Sequence, residues 1–214
     1  MIQDTEATMK RYLWLGLVST VLVSGGCLGE GTYTQRVEGY TSILQDAARR
    51  DKVLNPPEGG SFPQFGITFR LPKSMTAGQP FLQLKPGDFD LTQFYIDNAN
   101  SGVQIAVLDR LRNPPPAPDG QAPLQRDNGP FQLLVGALVG QGAPALENVF
   151  QGGVTYKRFS VDAEPTNPND MIQVYLHEKG NHEIAIITKI PKSAANAPLV
   201  TDEIPLSLGS LQTN

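Results

Sequence analysis

The stretch Met171–Ile190, MIQVYLHEKGNHEIAIITKI, constrains the fold more than any other part of the chain. Ile172, Val174 and Leu176 alternate along its first half. Ile184, Ile186 and Ile190 mark its second half, with Ala185 and Ile187 between them. β-Branched residues and Tyr175 in alternation suit a pleated strand better than a helix. Between the halves lies Glu178-Lys179-Gly180-Asn181, and Gly180 and Asn181 tolerate the positive φ that tight hairpin turns require. The parity of the loop decides which side chains share a face. An even count puts Ile172, Val174, Leu176, Ala185 and Ile187 on one face, and Tyr175, Ile184 and Ile186 on the other. An odd count gives one apolar face and one polar face. The even count explains why Ala185 and Ile187 sit among isoleucines, and it requires helices on both sides of a sheet.

A chain of 214 residues, 40% of them apolar, holds one ordinary domain and an appendage. Its 18 prolines and 21 glycines predict long loops. The net charge is −4. Nucleic acid calls for a basic stripe and a membrane surface for a polybasic patch, and this balance supports neither. Cys27 is the only cysteine, which excludes an intrachain disulfide and a cysteine-based zinc site.

Met1–Gly26 reads as an export signal. Lys10 and Arg11 precede an apolar run, Leu13–Val23, broken only by Gly16, Ser19 and Thr20. The run falls short of the ~20 residues that span a bilayer. Ser24, Gly25 and Gly26 then lead directly into Cys27. This order resembles the bacterial lipoprotein signal, which ends in small residues before a cysteine. The resemblance implies that Cys27 is lipid-modified, for example with palmitate, and opens the mature chain. Ser24 departs from the pattern, because an aliphatic residue usually stands three places before the cysteine; Val23 is one place too early. Met9, directly before Lys10 and Arg11, makes a more conventional start than Met1. Each buried CH₂ of an acyl chain contributes about 0.8 kcal/mol, so two or more chains anchor a protein durably. The other reading is a general secretory signal, with Cys27 an ordinary thiol.

Gln35–Lys52 reads as a helix with Val37, Tyr40, Leu44, Ala47 and Ala48 on one stripe. Packing on the sheet is the expected use of that stripe, and a stalk or partner helix near the membrane is the other. Pro56-Pro57 stops the helix, and Glu58-Gly59-Gly60 makes a joint. Phe65–Leu71 reads as a strand ended by Pro72. Pro80–Leu84 is a poor strand candidate. Leu91–Ile96 fits a strand or a short helix. Val103–Leu108 is a strand with few polar positions and belongs near the sheet centre. Asn113–Pro130, rich in proline, reads as an inserted surface loop; such segments also dock in aromatic grooves. Phe131–Val139 is an apolar helix ended by Gly140 and Gly142. Leu146–Gln151 and Val154–Val161 flank Gly152-Gly153, a second hairpin signal. Ala163–Asp170 connects the two hairpins, and Ala194–Ile204 reads as a last short helix before the leucines of Pro205–Leu211. The expected domain organisation is therefore a signal over 1–26, a lipidated tether and helix over 27–60, and one α+β domain over 61–214.

His177 and His182 are the only histidines. With a four-residue loop they face each other and, with Glu178 or Glu183, make a transition-metal site; a two-residue turn separates them. Solvated turn histidines are the commoner outcome, and no metal or other cofactor is expected. The chain holds no Gly-x-Ser-x-Gly, no P-loop and no dinucleotide fingerprint. Asp88/Asp90 and Asp202/Glu203 read as solvated pairs.

The order of elements predicts an α+β fold: a mainly antiparallel sheet with helices packed on its faces. GITFRLP at Gly66–Pro72, VYLHEKGNHEIAIITKIP and the closing EIPLSLGSL resemble the PsbP-type extrinsic proteins of photosystem II. That α/β/α sandwich is shared with a Ran-binding nuclear factor and with several bacterial lipoproteins. The resemblance covers about Ser61–Gln212. It implies a protein-binding module without a common active site, so no site residues follow from it. The expected function is a lipid-anchored, non-enzymatic protein of the cell envelope, facing the periplasm or exterior, that binds or scaffolds an unidentified protein and no nucleic acid. Two other readings remain. One is an envelope hydrolase or metal-handling protein using His177 and His182, which predicts a pocket holding both. The other is a carrier of a small apolar ligand, which predicts a cavity inside the sheet.

Overall fold

The computed structural model describes residues 30–56, 62, 65–114, 129–139, 144–164 and 167–213. The signal, Cys27, the Glu58-Gly59-Gly60 joint, Gly140, Gly142, Pro165 and most of the proline-rich loop lie outside them. The chain divides into two units, Met1–Arg49 and Arg50–Asn214. Among the described residues no helix is long and apolar enough to cross a membrane.

In the first unit the helix α1, Glu30–Val53, runs beyond both ends of the expected helix. Val37, Tyr40 and Leu44 are exposed, against the expectation of a buried stripe. The last turn of α1 belongs to the second unit. There Asn55 N–H donates to Leu71 O at 2.8 Å, and Lys73 N–H to Val53 O at 2.9 Å. Leu54 is wholly buried in this junction.

The second unit is α+β. Its main sheet contains β2 (Met75–Ala77), β3 (Leu91–Asp97), β4 (Gln104–Leu111), β5 (Glu147–Gln151), β6 (Val154–Glu164), β7 (Asn167–Lys179) and β8 (His182–Pro191). The order across the sheet is β2-β3-β4-β8-β7-β6-β5, antiparallel at every pairing. A separate two-stranded ribbon joins β1 (Ile67–Thr68) to β9 (Gln212–Thr213).

The long hairpin lies at the centre. Lys179 pairs with His182, so the loop is Gly180-Asn181 and its count is even. Gly180 has φ +60, while Asn181 keeps negative φ. Positive φ at the first central position alone is the two-residue turn that wants glycine there. The expected division of faces follows. Ile172, Val174, Leu176, Ala185 and Ile187 join one core with Leu134, Leu138 and Phe159. Tyr175, Ile184, Ile186 and Ile190 join the other, with Ile105, Val107, Tyr156 and Leu208. Helix α2 (Pro130–Leu138) covers the first face, burying Leu134 and Leu138. A 3₁₀ turn (Lys192–Ala194), a π turn (Leu199–Glu203) and helix α3 (Ile204–Leu208) contribute to the second. Two apolar faces therefore meet two sets of covering elements, and the sheet is a middle layer.

Several elements differ from expectation. Phe65–Leu71 supplies only the two-residue β1. Its remaining backbone is held elsewhere: Arg70 N–H donates to Ser210 Oγ at 2.9 Å, and Ser207 Oγ–H donates to Arg70 O. Strand β2, beside the poor candidate Pro80–Leu84, was not anticipated. Leu91–Ile96, left open between strand and short helix, is a strand, and β4, between β3 and β8, lies near the sheet centre as expected. The connector Ala163–Asp170 is mostly strand, since β6 runs to Glu164 and β7 starts at Asn167. The Gly152-Gly153 turn is as expected, with φ +54 and +99.

Candidate functional site

The hairpin end of the sheet gathers most of the polar side chains that the sequence singled out. Asp109 closes the apolar run of β4 and is 0% exposed; His182 opens β8 and is 8% exposed. The register places Asp109 opposite Ile184 and His182 opposite Leu111. Alternation therefore points both side chains to the same face, one diagonal step apart. His182 Nδ1–H donates to Asp109 Oδ2 at 2.9 Å. Burial pushes the Asp109 carboxyl above the ordinary carboxylate range, and the bond from His182 opposes that push. A Cβ placed on Gly66 would lie 3.7 Å from His182 Nε2, so the other ring nitrogen borders the Gly66 turn. The pair ties β4 to β8, and sequence reading missed Asp109. The one available signal was a carboxylate inside IAVLDRL, where alternation asks for an apolar residue.

His177 makes a different contact, from Nδ1 to Thr155 O at 2.9 Å. With a two-residue turn the histidines do not oppose each other: His177 pairs with Ile184 and His182 with Lys179. Glu178 and Glu183 are opposed instead, and Arg112 bridges them, with 2.5 Å to Glu178 Oε2 and 3.1 Å to Glu183 Oε1. Arg110 lies 3.9 Å from Glu183, and Lys157 3.8 Å from Glu178. These two like charges are adjacent because three cations surround them. Among the described residues no group of three or more His, Cys, Asp and Glu is placed to hold a metal ion.

Beside this cluster an open groove of about 220 Å³ runs between the start of α2 and strands β6, β7 and β8. Phe131, Leu146 and Leu176 supply its apolar lining, and Lys157, Glu178 and Glu183 its charged lining. It is lined by His177 and not by His182. Leu146, which lines it just before β5, is 44% exposed, and Phe150 on β5 is 69% exposed. The register pairs Phe150 with Thr155, which shares its face with the buried Phe159, so Phe150 stands on the α2 side of the sheet. β5 is an edge strand, hydrogen-bonded to β6 alone. The sequence had marked β5 as a hairpin arm, but nothing in Glu147–Gln151 announces an open edge.

A second open cavity of about 210 Å³ lies at the β2 edge, lined by Phe62, Phe69, Leu71, Met75 and Tyr95 among others. The Phe62 ring centroid is 6.3 Å from that of Phe69 and 6.1 Å from that of Tyr95. Burial raises the Tyr95 phenol above its usual value. Both cavities fall below the ~300 Å³ at which pockets enclose drug-sized ligands, and both open at the surface of the unit, outside the sheet itself.

No protein-family model matches the chain, and no curated protein sequence matches it. Solved structures similar to it include cyanobacterial PsbP from Synechocystis, at 10% identity and a TM-score of 0.46, over 76% of this chain and 93% of that one. The Ran-binding protein Mog1p of Saccharomyces cerevisiae is similar at 13% identity and a TM-score of 0.40, over 69% of this chain and 90% of that one. A Bacteroides thetaiotaomicron protein is similar at 10% identity and a TM-score of 0.41, over 70% of this chain; the chain spans 45% of its length. A PsbP protein and a Ran-binding protein, the two kinds named by the sequence resemblance, are both among these structures. At these identities the likeness is one of fold alone.

Proposed function

We propose that the protein is a lipid-anchored component of the cell envelope that holds another protein and does not turn over a substrate. The leader supports the anchor: a basic pair, an apolar core, and Gly25-Gly26 directly before Cys27. The observation that carries the binding reading is Phe150, 69% exposed on an edge strand, on the side of the sheet where the start of α2 borders a groove of mixed apolar and charged lining. An edge strand offers unpaired backbone groups to an added strand, and a neighbouring pocket then selects its side chains. The partner segment is accordingly extended, with an apolar side chain seated against Phe131, Leu146 and Leu176.

Crosslinking in intact membranes, followed by detergent extraction, tests this. The wild type is expected to yield a discrete adduct with a second protein. Phe150→Ala is expected to weaken that complex by about 2 kcal/mol, about thirtyfold, as truncating an aromatic anchor does. An adduct equally abundant in the variant removes the binding reading. A mature chain without acyl mass on Cys27 removes the anchor.

A further inference from the structure

We infer that the exposed stripe of α1 is the seam of a parallel two-stranded coiled coil with a second copy of this chain. The inference rests on the lipid-anchor reading above. Val37, Tyr40, Leu44 and Ala47 follow one another at steps of three, four and three, and Tyr33 continues that spacing one step earlier in the sequence. All four of Val37, Tyr40, Leu44 and Ala47 are exposed along α1. Alternating steps of three and four keep a narrow seam turned toward one partner helix. A helix lying in a membrane interface needs a broader apolar face and a cationic polar face. Here the charges of the helix cancel: Glu30, Glu38, Asp46 and Asp51 balance Arg36, Arg49, Arg50 and Lys52. A second helix is therefore the better occupant of the seam.

The anchor sets the direction. Only Leu28 and Gly29 separate Cys27 from the first residue of α1. Three residue steps reach ~10 Å at full extension. Two copies anchored in one membrane thus start their helices at nearly the same height, parallel and in register. An antiparallel pair would lift one anchor by the length of the helix, ~36 Å for 24 residues. A seam this short is too weak to hold two chains together in dilute solution. Confinement to one membrane raises the effective concentration and favours the pair.

The test uses the full chain in its membrane, with the acyl mass on Cys27 measured in the same preparation. Tyr40→Cys and Leu44→Cys place a thiol in the seam, and Asp46→Cys places one on the opposite side. Under a mild oxidant, both seam variants are expected to form disulfide-linked dimers several-fold more than Asp46→Cys. An acylated chain whose three variants crosslink equally, or whose seam variants do not crosslink, overturns this inference alone. A chain that carries no acyl mass overturns the anchor reading and this inference with it.

Discussion

Asp109 and His182 face each other across β4 and β8, with 2.9 Å between Oδ2 and Nδ1, and Asp109 has no solvent exposure. Removing one partner leaves the other buried without compensation. His182→Leu is therefore expected to lower stability by about 1–3 kcal/mol, read as the shift in urea midpoint. The pair also carries a pH signature. The folded chain holds the Asp109 carboxyl above its ordinary value of 3.8, with burial as the first cause. Between that value and the folded one, the native state binds the proton more readily than the unfolded state. This group's contribution to stability is thus highest below 3.8 and falls as pH rises through the window above it. Asp109→Asn should flatten that slope. An unchanged slope in a urea series across the acid range would show that Asp109 does not generate it.

Tyr156 is fully buried, and its hydroxyl donates to Leu208 O at 2.7 Å. Burial drives its phenol far above the usual value, so the group stays a neutral donor throughout the working range. Tyr156→Phe keeps the ring and its edge-on contact with Tyr175, whose centroid is 5.9 Å away. What it loses is one of two donors to Leu208 O, which also accepts from Leu211 N–H at 3.3 Å. The expected cost is about 0.5–1.5 kcal/mol, measured by chemical denaturation. A loss near zero would mean that the bond from Leu211 N–H alone satisfies Leu208 O.

The sheet was legible where side chains alternate without interruption. Met171–Ile190 and Val103–Leu108 carry their pattern in adjacent residues, so strand, turn and face could all be read locally. The ribbon β1-β9 was not, because Ile67 and Thr68 pair with Thr213 and Gln212, more than a hundred residues away in sequence. Asp109 escaped for a related reason: its histidine is 73 residues distant. Nearness in sequence pairs the two histidines with each other, whereas the fold gives His177 to Thr155 and His182 to Asp109. Phe150 looked like an ordinary hairpin aromatic, since edge position is a property of the sheet order and not of the strand.

Gly152 and Gly153 form one turn but meet different surroundings. A Cβ on Gly152 would lie 2.8 Å from Gly209 Cα and 2.7 Å from the Arg50 guanidinium; one on Gly153 would meet nothing within 4 Å. Both have positive φ, so alanine strains either backbone by about 1–2 kcal/mol. Gly152→Ala adds an overlap with backbone, at about 1–3 kcal/mol more. The difference between the two variants in thermal or urea unfolding isolates the close approach to Gly209. Equal losses would mean that the C-terminal segment moves away without cost.

Ile186 and Ile187 are neighbours in β8 that point to opposite cores, 1% and 0% exposed. In a sheet with one wet face, truncating one of them would be nearly neutral. Here each lies under its own cover, Ile186 with Tyr156 and Leu208, Ile187 with Leu134 and Leu138. Both Ile186→Ala and Ile187→Ala should therefore cost about 2–5 kcal/mol, the loss of transfer energy plus the cavity left behind. The two cores are separated by the sheet, but these residues are adjacent, so the double variant need not be additive. The single variants are the sharper measurement. A cost below about 1 kcal/mol for either one would mean that its face is not covered in solution, and the three-layer arrangement would fail on that side.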